Sequence, residues 1–330
     1  MTNMTVGLKN WTKVATGVGS RLVANILTII VISVLVFLLM NFKGPNEIAI
    51  SILGRDASQE QLTVFIQSNR LNLPISQRYL SWIGHAMMGD FGTSVSTGRA
   101  VLDDVFPALQ VSATLAFFSA LVGIGFGIVI GVFLAVRAGS KSDFRIVVGL
   151  IALAALPEFI VGICLYLIFA VFLGWLPSEN SFAFSFGTFG DRVVAFILPT
   201  LTLAALIVPQ VARVTRAAMT EALASGYVSS ARLRGLKERQ IVWDHAFRNA
   251  SVPLAGVLGL NVAFAMTGTL SVETVFGLPG LGSMLVSSIA SGDVFTTQTI
   301  IMIFAVLIAV VNIFVDLAVL ALNPRLRFKA

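Results

Sequence analysis

The chain has 330 residues, of which 57% are hydrophobic and only 12% charged, with a net charge of +6. Ordinary soluble domains carry about 25% charged residues, so a water-soluble enzyme or binding domain is excluded and an integral membrane protein is indicated. The basic excess is what cytoplasmic loops and anionic lipid contact select, and it does not argue for nucleic acid.

A helix needs about 20 mostly apolar residues to cross hydrocarbon, where no water can satisfy an unpaired backbone group. Six segments meet that need, near 22–41, 109–136, 146–173, 193–212, 251–276 and 299–322. Pro157, Pro199, Pro209 and Pro253 are expected to kink or begin helices where they fall. The first segment follows Lys13 and Arg21, as a secretory signal would. Its apolar core is longer than the roughly 7–15 residues of a signal, and no small-x-small cleavage site follows Met40, so an uncleaved anchor is expected.

Residues 42–107 then form a segment of mixed charge, amphipathic at 76–88 and too long for a bare turn. Two readings stand: a folded cap on the outer membrane face, or a docking surface for an extracytoplasmic partner. Cys164, the single cysteine, lies inside the third segment and is expected to pack there, with no disulfide framework and no thiol cluster for a metal. His85 and His245 are far apart and neither sits in a metal-binding pattern, so no metal site is expected. If the N-terminus, residues 137–145, residues 213–250 and the C-terminal tail share one side, that side holds 16 of the 22 basic residues. The positive-inside rule makes it cytoplasmic, with both termini.

Intramembrane charge is costly, so Glu158, Glu273 and Asp316 must each face protein or water. Glu158, beside Pro157, has two readings: contact with a cationic substrate group such as a peptide amino terminus, or a cavity-facing hydrogen bond. Glu273 is expected to serve gating or helix capping. Asp316, four positions after Asn312, is expected to tether helices. The glycine- and proline-rich turn from Leu278 to Ser283 is either an outer constriction or an ordinary turn.

The most distinctive stretch is the cationic island 226–253, GYVSSARLRGLKERQIVWDHAFRNASVP. Its first part favours a helix carrying Tyr227, Ser230, Ala231 and Arg234 at i, i+3, i+4, i+7 spacing, with Gly235 able to end it in a left-handed conformation. The residues Tyr227, Val228, Ser230, Ala231, Arg232, Gly235, Leu236, Glu238, Arg239, His245, Ala246, Arg248, Asn249, Ala250 and Pro253 fit the pattern Y-V-x-T-A-R-A-K-G-L-x-E-R-x-V-x-x-x-H-A-x-R-N-A-x-x-P. That pattern belongs to the inner-membrane permeases of binding-protein-dependent ATP-binding cassette importers, in the dipeptide, oligopeptide and nickel branch, which this chain resembles. VETVFGLPGLG at 272–282, VNIFVDLAVLALNPRLR at 311–327 and QRYLSWIGHAMMGDFGTS at 77–94 are similar to further stretches of that branch. The chain departs from the branch at Lys43 to Glu47, at Leu71 to Leu73, and at Ser230, Leu233 and Arg234, which leaves the subfamily and its substrate open.

The resemblance implies an all-α permease of the type I importer fold with six transmembrane helices. Residues 1–107 would hold the cytoplasmic N-terminus, helix one and the extracytoplasmic segment, and 108–330 the permease core with a cytoplasmic coupling loop at 213–250. It implies ATPase coupling by Tyr227, Ser230, Ala231, Arg232, Arg234, Gly235 and Leu236. For Arg232 and Arg234 the alternatives are pairing with acidic groups of the ATPase or a solvated, lipid-facing role. It implies an outer gate at Glu273, Leu278, Pro279, Gly280, Leu281 and Gly282, and a place on the translocation path for Glu158. No GxxxxGK[ST] phosphate loop occurs, so the chain itself is expected to bind no cofactor; ATP and magnesium would belong to two separate ATPase subunits. The other implied partners are a second homologous permease, most simply in a heterodimer, and an extracytoplasmic solute-binding protein. Small peptides are the leading cargo, with nickel chelates, oligosaccharides, opines and glutathione as alternatives. A self-contained secondary transporter would not explain the island, and an intramembrane enzyme would need a nucleophile and base, or a metal triad, that the chain lacks.

Overall fold

The structure is a computed structural model that describes residues 2–42, 44–54, 56–68, 70–177, 183–184 and 186–322; for 2–18, 20, 21, 51, 252, 316 and 318–322 it describes the backbone alone. Asp316 and the tail residues 323–327 therefore lie outside the described side chains. The helices are α1 (Thr2–Met40), α2 (Pro45–Leu53), α3 (Gln59–Ser68), α4 (Ile75–Met87), α5 (Val101–Val136), α6 (Lys141–Ala154) and α7 (Glu158–Tyr166). They continue with α8 (Phe189–Leu223), α9 (Gly226–Leu233), α10 (Phe247–Phe276), α11 (Leu281–Ser291) and α12 (Val294–Leu322). A π-helical stretch, Leu167–Phe172, prolongs α7, and another, Ile241–Ala246, leads into α10.

Among the described residues five helices are long and apolar enough to cross a membrane, and there are six crossings if α6 and α7 count as one. The third expected span is thus corrected from a single helix to two pieces bent by 103°. The cause is Pro157, which has no N–H to continue the ladder and pushes the residue before it out of the helical region. Pro199 and Pro209 instead lie inside the continuous α8, and Pro253 inside α10. The α8 helix reaches Leu223, so the stretch from Arg213 expected as loop is helix. It starts with a capping box in which the Thr188 N–H donates to Asp191 (2.8 Å) and the Asp191 N–H to Thr188 Oγ1 (3.4 Å).

The chain forms two compact units, with boundaries falling inside α1, α5 and α12. The first comprises 1–22, 112–278 and 310–330. Here α8 packs against α6, α7 and α10 and buries Leu198, Leu203, Ile207 and Val211. Gly123, Gly127 and Gly131 of α5 lie against Ile207, Val211 and Thr215 of α8. A Cβ added at each would come within 2.7, 2.6 and 2.5 Å of those side chains. This is the small-residue stripe by which membrane helices approach closely, since apolar lipid offers no hydrophobic drive to pack them.

The second unit comprises 23–111 and 279–309. The segment after α1 is a helical assembly of α2, α3 and α4, and the amphipathic stretch expected at 76–88 is α4. Phe37 of α1 meets Tyr79 and Trp82 of α4, with ring centroids 5.4 and 5.7 Å apart, and Ser33 hydrogen-bonds Tyr79 at 2.8 Å. Val101, Val105 and Ala108 of α5 form a core with Leu281 of α11 and Ile300 of α12. Asp293, 2% exposed, caps α12 by accepting the Thr296 N–H (3.1 Å) and also accepts the Ser94 hydroxyl (2.6 Å).

Candidate coupling loop and internal cavity

The cationic island folds into a short helix with a defined end. Ser225 stands in extended conformation before α9, and Gly235 follows it at φ +79°. The Gly235 N–H donates to Arg232 O (2.9 Å) and the Leu236 N–H to Ala231 O (3.3 Å), the paired bonds of a Schellman stop. Leu236 then packs with Val228, Ala231 and Ile241, closing the loop on a small core of its own. The expectation that Gly235 turns left-handed holds. On the expected face Tyr227, Ser230 and Arg234 stand exposed, while Ala231 is buried at 1% exposure, packed with Val228 and Ile241. Leu233 is also 90% exposed; the sequence marked it only as a departure from the branch pattern, not as a coupling residue. A large apolar side chain in a charged loop was the signal available.

Arg232 is committed within the loop. Its Nε and Nη2 donate to Glu238 at 2.7 and 3.3 Å, which holds the Glu238 carboxyl below and the Arg232 guanidinium above their usual ranges. Arg234 donates through Nε to Ser230 O at 3.3 Å and keeps the rest of its guanidinium outward. The chain returns through Val242 and Ala246, which pack with Val132 and Ala135 of α5, Met219 of α8 and Ala250 of α10. The loop thus packs against three membrane helices.

A second anchor was missed from the sequence. Ser140 caps α6 by accepting the Asp143 N–H (3.2 Å), and Asp143 accepts the Gly139 N–H (2.9 Å) and a two-pronged contact from Arg216 of α8 (2.8 and 2.7 Å). The Ser-x-x-Asp spacing was legible as a cap, but its partner 73 residues away was not.

The first unit carries an open pocket of about 650 Å³ whose lining includes Glu158, Pro209, Gln210, Arg213, Arg216 and Phe264. Glu158 opens α7 after Pro157 and accepts the Ser271 hydroxyl at 2.5 Å. Glu273 is fully buried and accepts the Ser112 hydroxyl at 2.6 Å, while its carbonyl receives the Leu278 N–H (2.9 Å). Its backbone thus helps to end α10, while its side chain ties that helix to α5. The turn expected at Leu278 to Ser283 is shorter than that: Gly277 closes α10, Gly280 caps α11, and Leu281 and Gly282 are already helical. Cys164 is exposed rather than packed, since it lies on the outer face of α7. Among the described residues no three of His, Cys, Asp and Glu gather as metal ligands.

Residues 127–328 match the family described as binding-protein-dependent transport system inner membrane component. The chain belongs to that family. The permease is 32% identical over 309 residues to the glutathione transport system permease protein GsiC of Escherichia coli strain K12, covering 94% of this chain and 98% of the relative. The same figures hold for GsiC of Salmonella typhimurium strain LT2. Among solved structures, the permease resembles a chain of the MetNI methionine ABC transporter in an inward-facing conformation, with TM-score 0.56 and 18% identity over 66% of this chain and 96% of that one. A second crystal form of that transporter gives a TM-score of 0.55. The protein is therefore a multi-pass inner-membrane permease of a binding-protein-dependent ABC importer, with the importer fold expected from its motifs.

Proposed function

We propose that this permease passes small peptides, glutathione among them, through a pathway it forms with a second homologous permease. One observation carries the cargo reading: the cavity joins the carboxylate of Glu158 and the guanidinium of Arg213 in a largely apolar wall. A free peptide is a zwitterion, and a site offering one anion and one cation suits its amino and carboxylate ends, with apolar surface left for side chains. The relatives named for glutathione, a tripeptide bearing those groups, support the same reading.

Two ATPase subunits supply ATP and magnesium, and each permease offers its loop 213–250 to one of them. On this chain Tyr227, Ser230, Leu233 and Arg234 form the docking face, Arg232 shapes it through Glu238, and Ala231, Gly235 and Leu236 hold it rigid. Both termini and this loop are cytoplasmic, as the basic residues favour. Residues 1–107 hold the cytoplasmic N-terminus, helix one and the extracytoplasmic segment, whose part 42–107 receives the solute-binding protein; residues 108–330 form the core, and Glu273 with Leu278, Pro279, Gly280, Leu281 and Gly282 form the outer gate.

The test is uptake into proteoliposomes holding the co-purified complex, with the binding protein outside and a panel of di- to pentapeptides plus glutathione. ATP-dependent accumulation that also needs the binding protein is expected, and it should fall at least tenfold in Glu158→Gln, since a lost charge-assisted bond is worth about 1.5–3 kcal/mol. An assembled, ATP-hydrolysing complex that carries none of the panel would overturn the cargo reading and leave the importer standing.

A further inference from the structure

The helix α4 has the wrong polarity for an element surrounded by water. Its basic residues, Arg78 and His85, line a pocket of the second unit together with Ser81, Trp82 and Asp90, and Arg78 donates to the Asn41 side chain. Its large apolar side chains point outward: Leu80 is 67% exposed, Met87 84%, and Met88, which follows the helix, 87%. Leu80 and Met87 lie two turns apart on one face, and Gly84 between them has open space around its Cβ position. Ser76, also exposed on that side, leaves the face without a charge. A helix of a soluble cap would turn the charges out and the leucine and methionines in.

Packing sets the level at which this face lies. The apolar run of α1 from Leu22 ends at Met40. At about 1.5 Å per residue, Ser33 lies about 10 Å and Phe37 about 5 Å short of that end. These are the residues that hold α4, since Ser33 hydrogen-bonds Tyr79 and Phe37 meets Tyr79 and Trp82. The helix is therefore seated beside the last two turns of the apolar run, and the Arg78–Asn41 bond falls just past its end. On those same turns of α1, Leu35, Leu38 and Leu39 are exposed as lipid-facing side chains are.

We infer that α4 is an interfacial helix, lying in the leaflet around the C-terminal end of α1 with Leu80, Met87 and Met88 bedded among lipid acyl chains. An apolar, uncharged face at that level meets the headgroup and acyl boundary, where amphipathic helices bury such faces. The inference gives one face of the segment 42–107 to lipid and does not depend on the cargo reading.

The test places a nitrobenzoxadiazole fluorophore on single cysteines of the permease, assembled with cysteine-free partner subunits in lipid nanodiscs. Cys164→Ser removes the native thiol. The labelled variants are Leu80→Cys and Met87→Cys, with Leu39→Cys on α1 and Glu60→Cys on α3 as references. Lipids bearing a nitroxide high on the acyl chain or near its end probe depth, and iodide probes water. At positions 80 and 87 the shallow nitroxide is expected to quench more than the deep one, and iodide several-fold less than at position 60. Iodide quenching equal to that at position 60 would put the face in water, and protection from both nitroxides and iodide would show that a protein subunit covers it. Either result overturns the proposal.

Discussion

At the scale of single residues, acids in the membrane helices of this permease are held by hydroxyls from distant parts of the chain. Glu158 meets Ser271 across 113 residues and Glu273 meets Ser112 across 161. The cost of burying charge made it legible that these acids need partners; which serines serve could not be read, because nothing local links them. Asp293 shows what such bonding contributes. Burial pushes its carboxyl up, but hydrogen bonds from Ser94, Thr296 and Ser96 outweigh this and hold it below the usual carboxylate range. A depressed folded pKa stabilises the fold at pH above the unfolded value, about 3.9, and that contribution fades as pH falls through the folded value. Asp293→Ala should therefore lose about 1–3 kcal/mol near neutral pH, from the cap and the charge-assisted bonds. The gap between the unfolding midpoints of variant and parent should narrow as the detergent-solubilised protein is taken down to about pH 3. A gap that stays constant with pH would mean that the charge on Asp293 contributes nothing.

At the scale of elements, hydropathy located the apolar segments long enough to span but could not see how each is used. The stretch 146–173 is apolar throughout, and an averaged window runs straight across Pro157, where the helix turns by 103°. The helix α11 was missed for the opposite reason: its 11 residues are too few to span, and the Gly–Pro sequence before it signals a turn. The glycine stripe of α5 was present in the sequence as small residues at 123, 127 and 131, yet its meaning depends on what faces it, and that is the branched side chains of α8. Leucine at position 127 would overlap Val211 and should destabilise the permease by about 1–3 kcal/mol, as overpacking does. Adding Val211→Ala should recover much of the loss, whereas Gly125→Leu, with open space around its Cβ position, should be nearly silent. Thermal unfolding of the three variants measures this. Equal losses at 125 and 127 would show that the stripe is not a packing seam.

At the scale of the whole molecule, the question is how a loop outside the membrane can drive helices within it. The motif in the cationic island was specific enough to identify the family from sequence, and the structure adds the mechanical reason for its residues. Gly235 is required because the chain must turn left-handed there while its N–H still bonds to Arg232. Leu236 and Ala231 make the loop a solid body, and Val242 and Ala246 fasten that body to α5, α8 and α10. Under the proposed coupling, a push on Tyr227, Leu233 or Arg234 would move membrane helices instead of merely flexing a loop, as a rigid-body switch between access states requires. Proline at 235 cannot adopt φ +79° and has no N–H to donate, so Gly235→Pro should unseat the Schellman stop while leaving every membrane helix with its own hydrogen bonds. Its membrane insertion should match the parent, and the ATPase should still co-purify at least in part, but binding-protein-stimulated ATP hydrolysis in proteoliposomes should drop by an order of magnitude or more. Full stimulation in a correctly inserted Gly235→Pro complex would place the coupling elsewhere in the chain.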